Sequence, residues 1–189
     1  MSGVASKLDY DGRRIKVSEA ESVAVMVDIL RGLGCETDDA TCITQHLAEA
    51  SLSGVESHGV MRILQYARQF QSGYMKPVAT PSVMHRDGAF VTIDGDGGHG
   101  IPAMGMAFEA VGKIAAEIGI AVAAIMNLGH TGRHGAFAEA AARKGLVSIL
   151  IGGGNREVWR QVAPYGVATA KLPTNPWCVG LPGGDLGPV

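Results

Sequence analysis

The sequence predicts an α/β chain, with an N-terminal helical unit followed by a layered α/β domain. Three observations carry that expectation. Apolar residues at helical spacing fill the first third, and after Lys76-Pro77 short β-type runs alternate with helices. Glycine is also skewed: 8 of the 27 lie in residues 1–94 and 19 in residues 95–189. Alternating strand and helix is the pattern of a layered α/β fold. Glycine at about twice its average usage, without a collagen period, implies tight turns and close backbone approaches in the second half.

The elements follow in order. Residues 1–17 read as a polar arm, and residues 18–76 as the helical unit. Ser18 and Glu21 have the spacing of a capping box, so the first helix starts there. Val23, Val25, Met26, Ile29, Leu30 and Leu33 form its stripe, and Gly34 supplies the stop. A second helix starts at Thr37, with Asp38 and Asp39 at the positive end of its dipole and Ile43, Leu47, Ala50 and Leu52 inward. A third follows the turn Ser57-His58-Gly59, with Val60, Ile63, Leu64, Ala67 and Phe70 inward, and ends near Gly73. Residues 77–189 then form the α/β domain. Its strands are expected at Ser82–Arg86, Phe90–Asp94, Ile120–Met126, Leu146–Ile151 and Trp177–Leu181. Pro102 suits the first turn of a helix running to about Glu117, and another helix runs from about His134 to Lys144. Gly152-Gly153-Gly154-Asn155 opens a polar loop.

Composition excludes several classes of function. The 189 residues are 47% hydrophobic and 18% charged, with a net charge of -2, which excludes a disordered chain. No Lys/Arg-rich run offers a surface for nucleic acid or an anionic membrane. The start lacks the apolar segment of a secretory signal, and Met1-Ser2 does not fit N-myristoylation. The longest apolar stretch, Ile118 to Leu128, is far below the roughly 20 residues that span a bilayer. Cys35, Cys42 and Cys178 are odd in number and lack CxxC spacing, as in the reduced thiols of a cytoplasmic protein.

Three motifs suggest sites, and two of them weaken on inspection. Gly95-Asp96-Gly97-Gly98-His99-Gly100 satisfies G-x-G-x-x-G between a strand and a helix. Yet Asp94 and Asp96 put negative charge where a pyrophosphate would sit, and the next strand ends at Asn127 with no acid for a ribose. The same acids resemble the start of a calcium loop, but His99 and Gly105 occupy its sixth and twelfth positions. His130 and His134 have metal-ligand spacing but no third ligand, so one histidine is expected on a polar surface and the other packed at a helix start. Ser57-His58-Gly59 is the most suggestive segment. A histidine in a turn between helices can move protons near neutral pH, with Ser57 orienting its ring and Arg62 clamping a carboxylate. A capping or surface histidine fits the same spacing.

Taken together, the motifs match one family. Ser57-His58-Gly59-Val60 with Arg62, Gly73 to Pro77, and Asp94-Gly95-Asp96-Gly97-Gly98 occur in order. Asn127 with His130-Thr131-Gly132-Arg133, Ala163-Pro164-Tyr165-Gly166 and Thr174-Asn175-Pro176 complete the series. With these segments the chain resembles the type-2 malate/L-lactate dehydrogenases, which include sulfolactate, ureidoglycolate and diketogulonate dehydrogenases or reductases.

The resemblance implies a non-Rossmann oxidoreductase that uses NAD or NADP. Hydride would pass between the nicotinamide and C2 of a small 2-hydroxy or 2-oxo acid. It implies His58 as the catalytic acid/base, with Ser57, Arg62 and His130 on the substrate side. Asn127, Thr174, Asn175 and Pro176 would face the cofactor. No metal is implied, and the complete protein would be a homodimer with its site near the subunit interface. Two departures stand out. Pro173 replaces a glycine usual before Thr-Asn-Pro, and the chain stops at Gly187-Pro188-Val189, where members enter a strand leading to a cofactor-binding segment. The α/β domain is therefore expected to be incomplete, leaving either part of a dehydrogenase or a truncated, non-catalytic α/β remnant that pairs with another chain.

Overall fold

Ser18 starts the first helix by a reciprocal capping box. Its hydroxyl accepts from the amide of Glu21 at 3.2 Å, and its own amide donates to the Glu21 carboxylate at 3.2 Å. A cap of this kind stabilises a helix by about 1 kcal/mol. The computed structural model describes residues 15–154 and 160–189. Of the expected N-terminal arm, residues 1–14 lie outside the described residues, as does Asn155 of the polar loop.

Three helices form the first part: α1 (Glu19–Gly32), α2 (Thr37–Leu52) and α3 (Arg62–Gln71), with one 3₁₀ turn at Glu56–His58 between α2 and α3. Their shared core contains Met26, Leu30, Ile43, Leu47, Ile63, Tyr66 and Phe70, joined by Met75 and by Ile101 of a later helix. Burying each large apolar side chain contributes roughly 1.5–3 kcal/mol. Three residues expected inward instead face out: Val25, Leu52 and Leu64. In α3 the inward row is Ile63, Tyr66 and Phe70, so the stripe turns onto Tyr66 and away from Leu64.

The remainder contains β1 (Ser82–Asp87), β2 (Phe90–Asp94), α4 (Gly100–Ile118), β3 (Val122–Met126), α5 (His134–Ala142), β4 (Ser148–Ile151) and β5 (Trp177–Gly180). β1 and β2 pair antiparallel, and β2 pairs with β3 in parallel across the α4 crossover. β4 and β5 form a separate antiparallel pair. α4 covers the first sheet through Ala107 against Val91 and Ile93, and its Met104 meets Ala138 of α5 and Leu150 of β4. No residue of β3 is fully buried, and Val122 and Met126 at its ends are exposed. α4 therefore covers β2 and β3, while β1 is exposed along its whole length.

The glycine loop between β2 and α4 is a packing device. The Gly95 amide donates to Met126 O, Gly97 to Asn127 O and Gly100 to His130 O. A side chain on Gly100 would stand 2.7 Å from the carbonyls of both Gly129 and His130. Asp94 accepts from the Asp96 amide and from the Asn127 side chain, and Asp96 is paired with Lys76 at 2.6 Å. The G-x-G-x-x-G backbone is thus spent on holding the segment that carries His130, and its acids are engaged within the fold, Asp96 by a lysine and Asp94 by two neutral donors.

Candidate active site

The 3₁₀ turn that carries His58 is fastened to α2. The Val60 amide donates to the Ser51 hydroxyl at 3.0 Å, and Gly59 packs directly on the same serine. Ser57 Oγ lies 3.1 Å from His58 Nδ1, so the ring is held from its Nδ1 side. Arg62 turns back across the motif: Nε donates to the Ser57 carbonyl at 2.6 Å and Nη1 to Gln65 Oε1 at 2.6 Å. Two of its five donors are committed and the remainder can meet an anion. Arg62 is also the first residue of α3. A cation at a helix N-terminus is unfavourable by about 0.3–1 kcal/mol, so local stability does not explain an arginine there.

His130 comes from the segment between β3 and α5. The Tyr66 hydroxyl is 2.7 Å from its Nδ1, and the Gly132 amide donates to the same nitrogen at 3.2 Å. The His58 and His130 rings lie 5.4 Å apart, centre to centre. The His130 segment is itself anchored to α2, because the Arg133 amide donates to His46 Nε2 at 2.8 Å. The Arg133 side chain is buried between the carboxylates of Glu49 on α2 and Glu139 on α5, bonding Glu139 at 3.0 Å. His134, the first residue of α5, pairs through Nε2 with Thr131 Oγ1 at 3.0 Å.

Two arginines and four histidines therefore crowd one region, which shapes its proton chemistry. Burial, then Arg62 and the other histidines, push the His130 pKa down to about 3. Burial lowers His46 to about 4, against the opposing pull of Glu49. His58 lies below the usual imidazole range because of burial, then Arg62 and His134. All three rings are neutral at pH 7, and an arriving anion would be welcomed by the unspent charge of Arg62.

All of these groups except His46 open on a cleft of about 1220 Å³ between α4, β3, β4 and the 127–134 segment. His58, Arg62, Asn127, His130, Thr174 and Pro176 line it. Ser57 and Asn175 do not; Ser57 acts on His58 and Arg62 from behind. Asn127 has a left-handed backbone, φ 55°, and its amide group is engaged by Asp94, so it shapes the cleft floor. Thr174, Asn175 and Pro176 are exposed on the rim, where Gly152 donates to the Pro176 carbonyl at 3.0 Å. Of the two metal-spaced histidines, His134 packs at its helix start while His130 is enclosed by Tyr66 instead of lying on the surface. Among the described residues, no three His, Cys, Asp or Glu side chains are grouped to hold a metal ion.

Sequence reasoning missed Tyr66 and the His46–Arg133–Glu49 anchor. Tyr66 carried a signal, since it stands four residues after Arg62, on the same helical face. The anchor carried none, because its partners are 84 and 87 residues apart.

Comparison with known proteins gives a consistent picture. Residues 17–189 match the family described as malate/L-lactate dehydrogenase. Hydroxycarboxylate dehydrogenase B of Escherichia coli K12 is 33% identical over 165 residues, covering 85% of this chain and 44% of that protein. L-sulfolactate dehydrogenase of Methanocaldococcus jannaschii is 30% identical over 159 residues, covering 84% and 45% respectively. The solved malate dehydrogenase of Pyrococcus horikoshii OT3 superimposes with a TM-score of 0.84 at 30% identity, over 92% of this chain and 49% of that one. The chain spans about half the length of the curated relatives it matches.

Proposed function

Because the chain belongs to the malate/L-lactate dehydrogenase family, we propose that its cleft is the substrate side of an NAD- or NADP-dependent 2-hydroxy acid dehydrogenase. The observation that carries this reading is the joint placement of His58 and Arg62. A buried-edge imidazole and a guanidinium with uncommitted donors are fixed by one residue, Ser57, at the same cleft. That pair matches a substrate with a hydroxyl or carbonyl beside a carboxylate, as in the malate and sulfolactate of the relatives' names.

In this reading Arg62 binds the carboxylate and sets C2 at the imidazole edge. His58 holds the proton that belongs to the C2 oxygen: it gives that proton up when the carbonyl is reduced and takes it when the hydroxyl is oxidised. A placed acid/base of this kind contributes about 10²–10⁴-fold to the rate. His130, kept neutral by burial, donates a hydrogen bond to the substrate from the opposite wall. A nicotinamide bound here would supply or accept the hydride at C2.

The rim formed by Gly152, Thr174 and Pro176 lies on the same cleft, with Gly152 packed so closely that a Cβ there would stand 3.1 Å from Pro176 Cγ. Those rim residues, with Asn127 shaping the floor, would hold the nicotinamide end. The free thiols Cys35, Cys42 and Cys178 accord with a cytoplasmic enzyme, and we infer a homodimer as its working form. Among the described residues no helix is long and apolar enough to cross a membrane.

Replacing His58 by Gln tests the assignment. In the complete protein, turnover of NAD(P)H with a panel of small 2-oxo acids should fall by at least about a hundredfold, with cofactor affinity unchanged. Equal turnover in the variant would exclude His58 as the proton donor.

A further inference from the structure

Tyr66 is wholly buried in the helical core, yet it ends on a polar atom of the cleft wall. Its hydroxyl lies 2.7 Å from His130 Nδ1, and the Gly132 amide points at the same nitrogen from 3.2 Å. A backbone amide can only donate, so Nδ1 must be the acceptor and carry no proton. The Tyr66 O–H therefore donates as well. A neutral imidazole that accepts at Nδ1 has its proton on Nε2, on the side of the ring away from Tyr66.

We propose that Tyr66 is a positioning residue that fixes His130 as an Nε2–H donor directed into the cleft toward the substrate oxygen, which rests on the dehydrogenase reading above. The two histidines then have different tasks. His58 is held through Ser57 Oγ, a hydroxyl that can rotate to donate or accept, so its ring can change protonation state. His130 is held by two donors on one nitrogen, and protonating Nδ1 would break both hydrogen bonds. The groups around it reinforce this: Arg62 and His58 from the α3 side, His134 from α5 and His46 from α2 all disfavour a positive His130. His130 is thus a fixed donor that orients a carbonyl or hydroxyl, while proton exchange is left to His58.

The arrangement can be read without turnover. In the 189-residue chain labelled with ¹⁵N, long-range imidazole ¹H–¹⁵N correlations should show His130 as the Nε2-protonated neutral ring, unchanged while His58 titrates. Tyr66→Phe keeps the aromatic bulk and removes only the hydroxyl. It should admit the other tautomer and raise the pH at which His130 titrates, and thermal unfolding and near-UV circular dichroism should confirm that the variant is folded. His130→Gln, whose amide nitrogen stands near the place of Nε2, should retain more oxo-acid turnover than His130→Ala. Tyr66→Phe should lower kcat/KM for the oxo acid about tenfold, the size of one hydrogen bond to a reacting group. A Nδ1-protonated His130 in the unmodified chain, or an unaltered His130 spectrum in a folded Tyr66→Phe, would overturn the assignment. The expected spectra, together with a complete protein that turns over no 2-oxo acid, would instead remove the dehydrogenase reading and leave the Tyr66–His130 lock standing.

Discussion

The amide of Arg133 donates to Nε2 of His46 across 2.8 Å, tying the segment that carries His130 to a helix more than eighty residues earlier. The bond exists only while His46 is unprotonated at Nε2. Its partner residue completes the tie through Glu49 and Glu139, so a single joint holds α2, α5 and one wall of the cleft.

Acid should therefore weaken the fold through this joint. His46 has a folded pKa of about 4 against 6.5 in an unfolded chain. The unfolded state takes up a proton first, so the stability contributed by the neutral ring is complete above pH 6.5 and is lost progressively between there and about pH 4. The loss amounts to at most roughly 3 kcal/mol for this group. Thermal melts over that interval should show the decline, and His46→Gln, which keeps an acceptor but does not titrate, should flatten it. Parallel pH profiles for the two proteins would show that other groups are responsible.

Gly59 is required by its contact with Ser51. Gly59→Ala would push a methyl into the Ser51 hydroxyl that accepts from Val60. Overpacking of this kind costs about 1–3 kcal/mol. Adding Ser51→Ala should recover part of that loss in a double-mutant cycle measured by urea unfolding. Strictly additive changes would mean that the two residues do not meet.

The pH dependence of hydroxy acid oxidation should report His58. That direction needs the neutral imidazole, so activity falls as pH drops through the His58 pKa, and the acidic limb lies below the ordinary value of 6.5. Arg62 helps to depress that pKa. Arg62→Gln should move the limb upward as well as weakening the reaction. A limb that stays in place would show that the titrating group is not next to Arg62.

Arg62→Lys keeps the charge and gives up the planar donor set. It cannot hold the Ser57 carbonyl and Gln65 while meeting a carboxylate. The KM for the oxo acid should rise about tenfold or more, with cofactor affinity unchanged, as one charge-assisted hydrogen bond is worth about 1.5–3 kcal/mol. An unchanged KM would place the carboxylate elsewhere.

Local chemistry was legible in the chain. Ser18 and Glu21 announced the start of α1, Thr37 began α2 as expected, and Phe90–Asp94 was read to the residue. The expected family is the one that residues 17–189 match, and the chain's span of about half its relatives agrees with an incomplete α/β domain. Burial was less legible wherever the partner face comes from elsewhere in the chain. Leu64 has the right residue type for a core, but Tyr66 holds the inward row of α3 because it can fill the core and still satisfy its hydroxyl on His130. The glycine loop matched a nucleotide motif because the motif records only spacing. Its real partners are the carbonyls of residues 126–130, which only the packed chain brings within reach.

The Arg133 tie also sets an order of events. Glu49 of α2 and Arg133, the residue capping α5, are 84 residues apart in sequence, and closing so long a loop must precede any reward from the contact. α1, α2 and α3 can assemble from neighbouring contacts, but the wall that bears His130 can lock only after α5 has docked onto α2. The helical core thus rests on contacts near in sequence, while the approach of His130 to His58 depends on one of the longest loops the chain has to close.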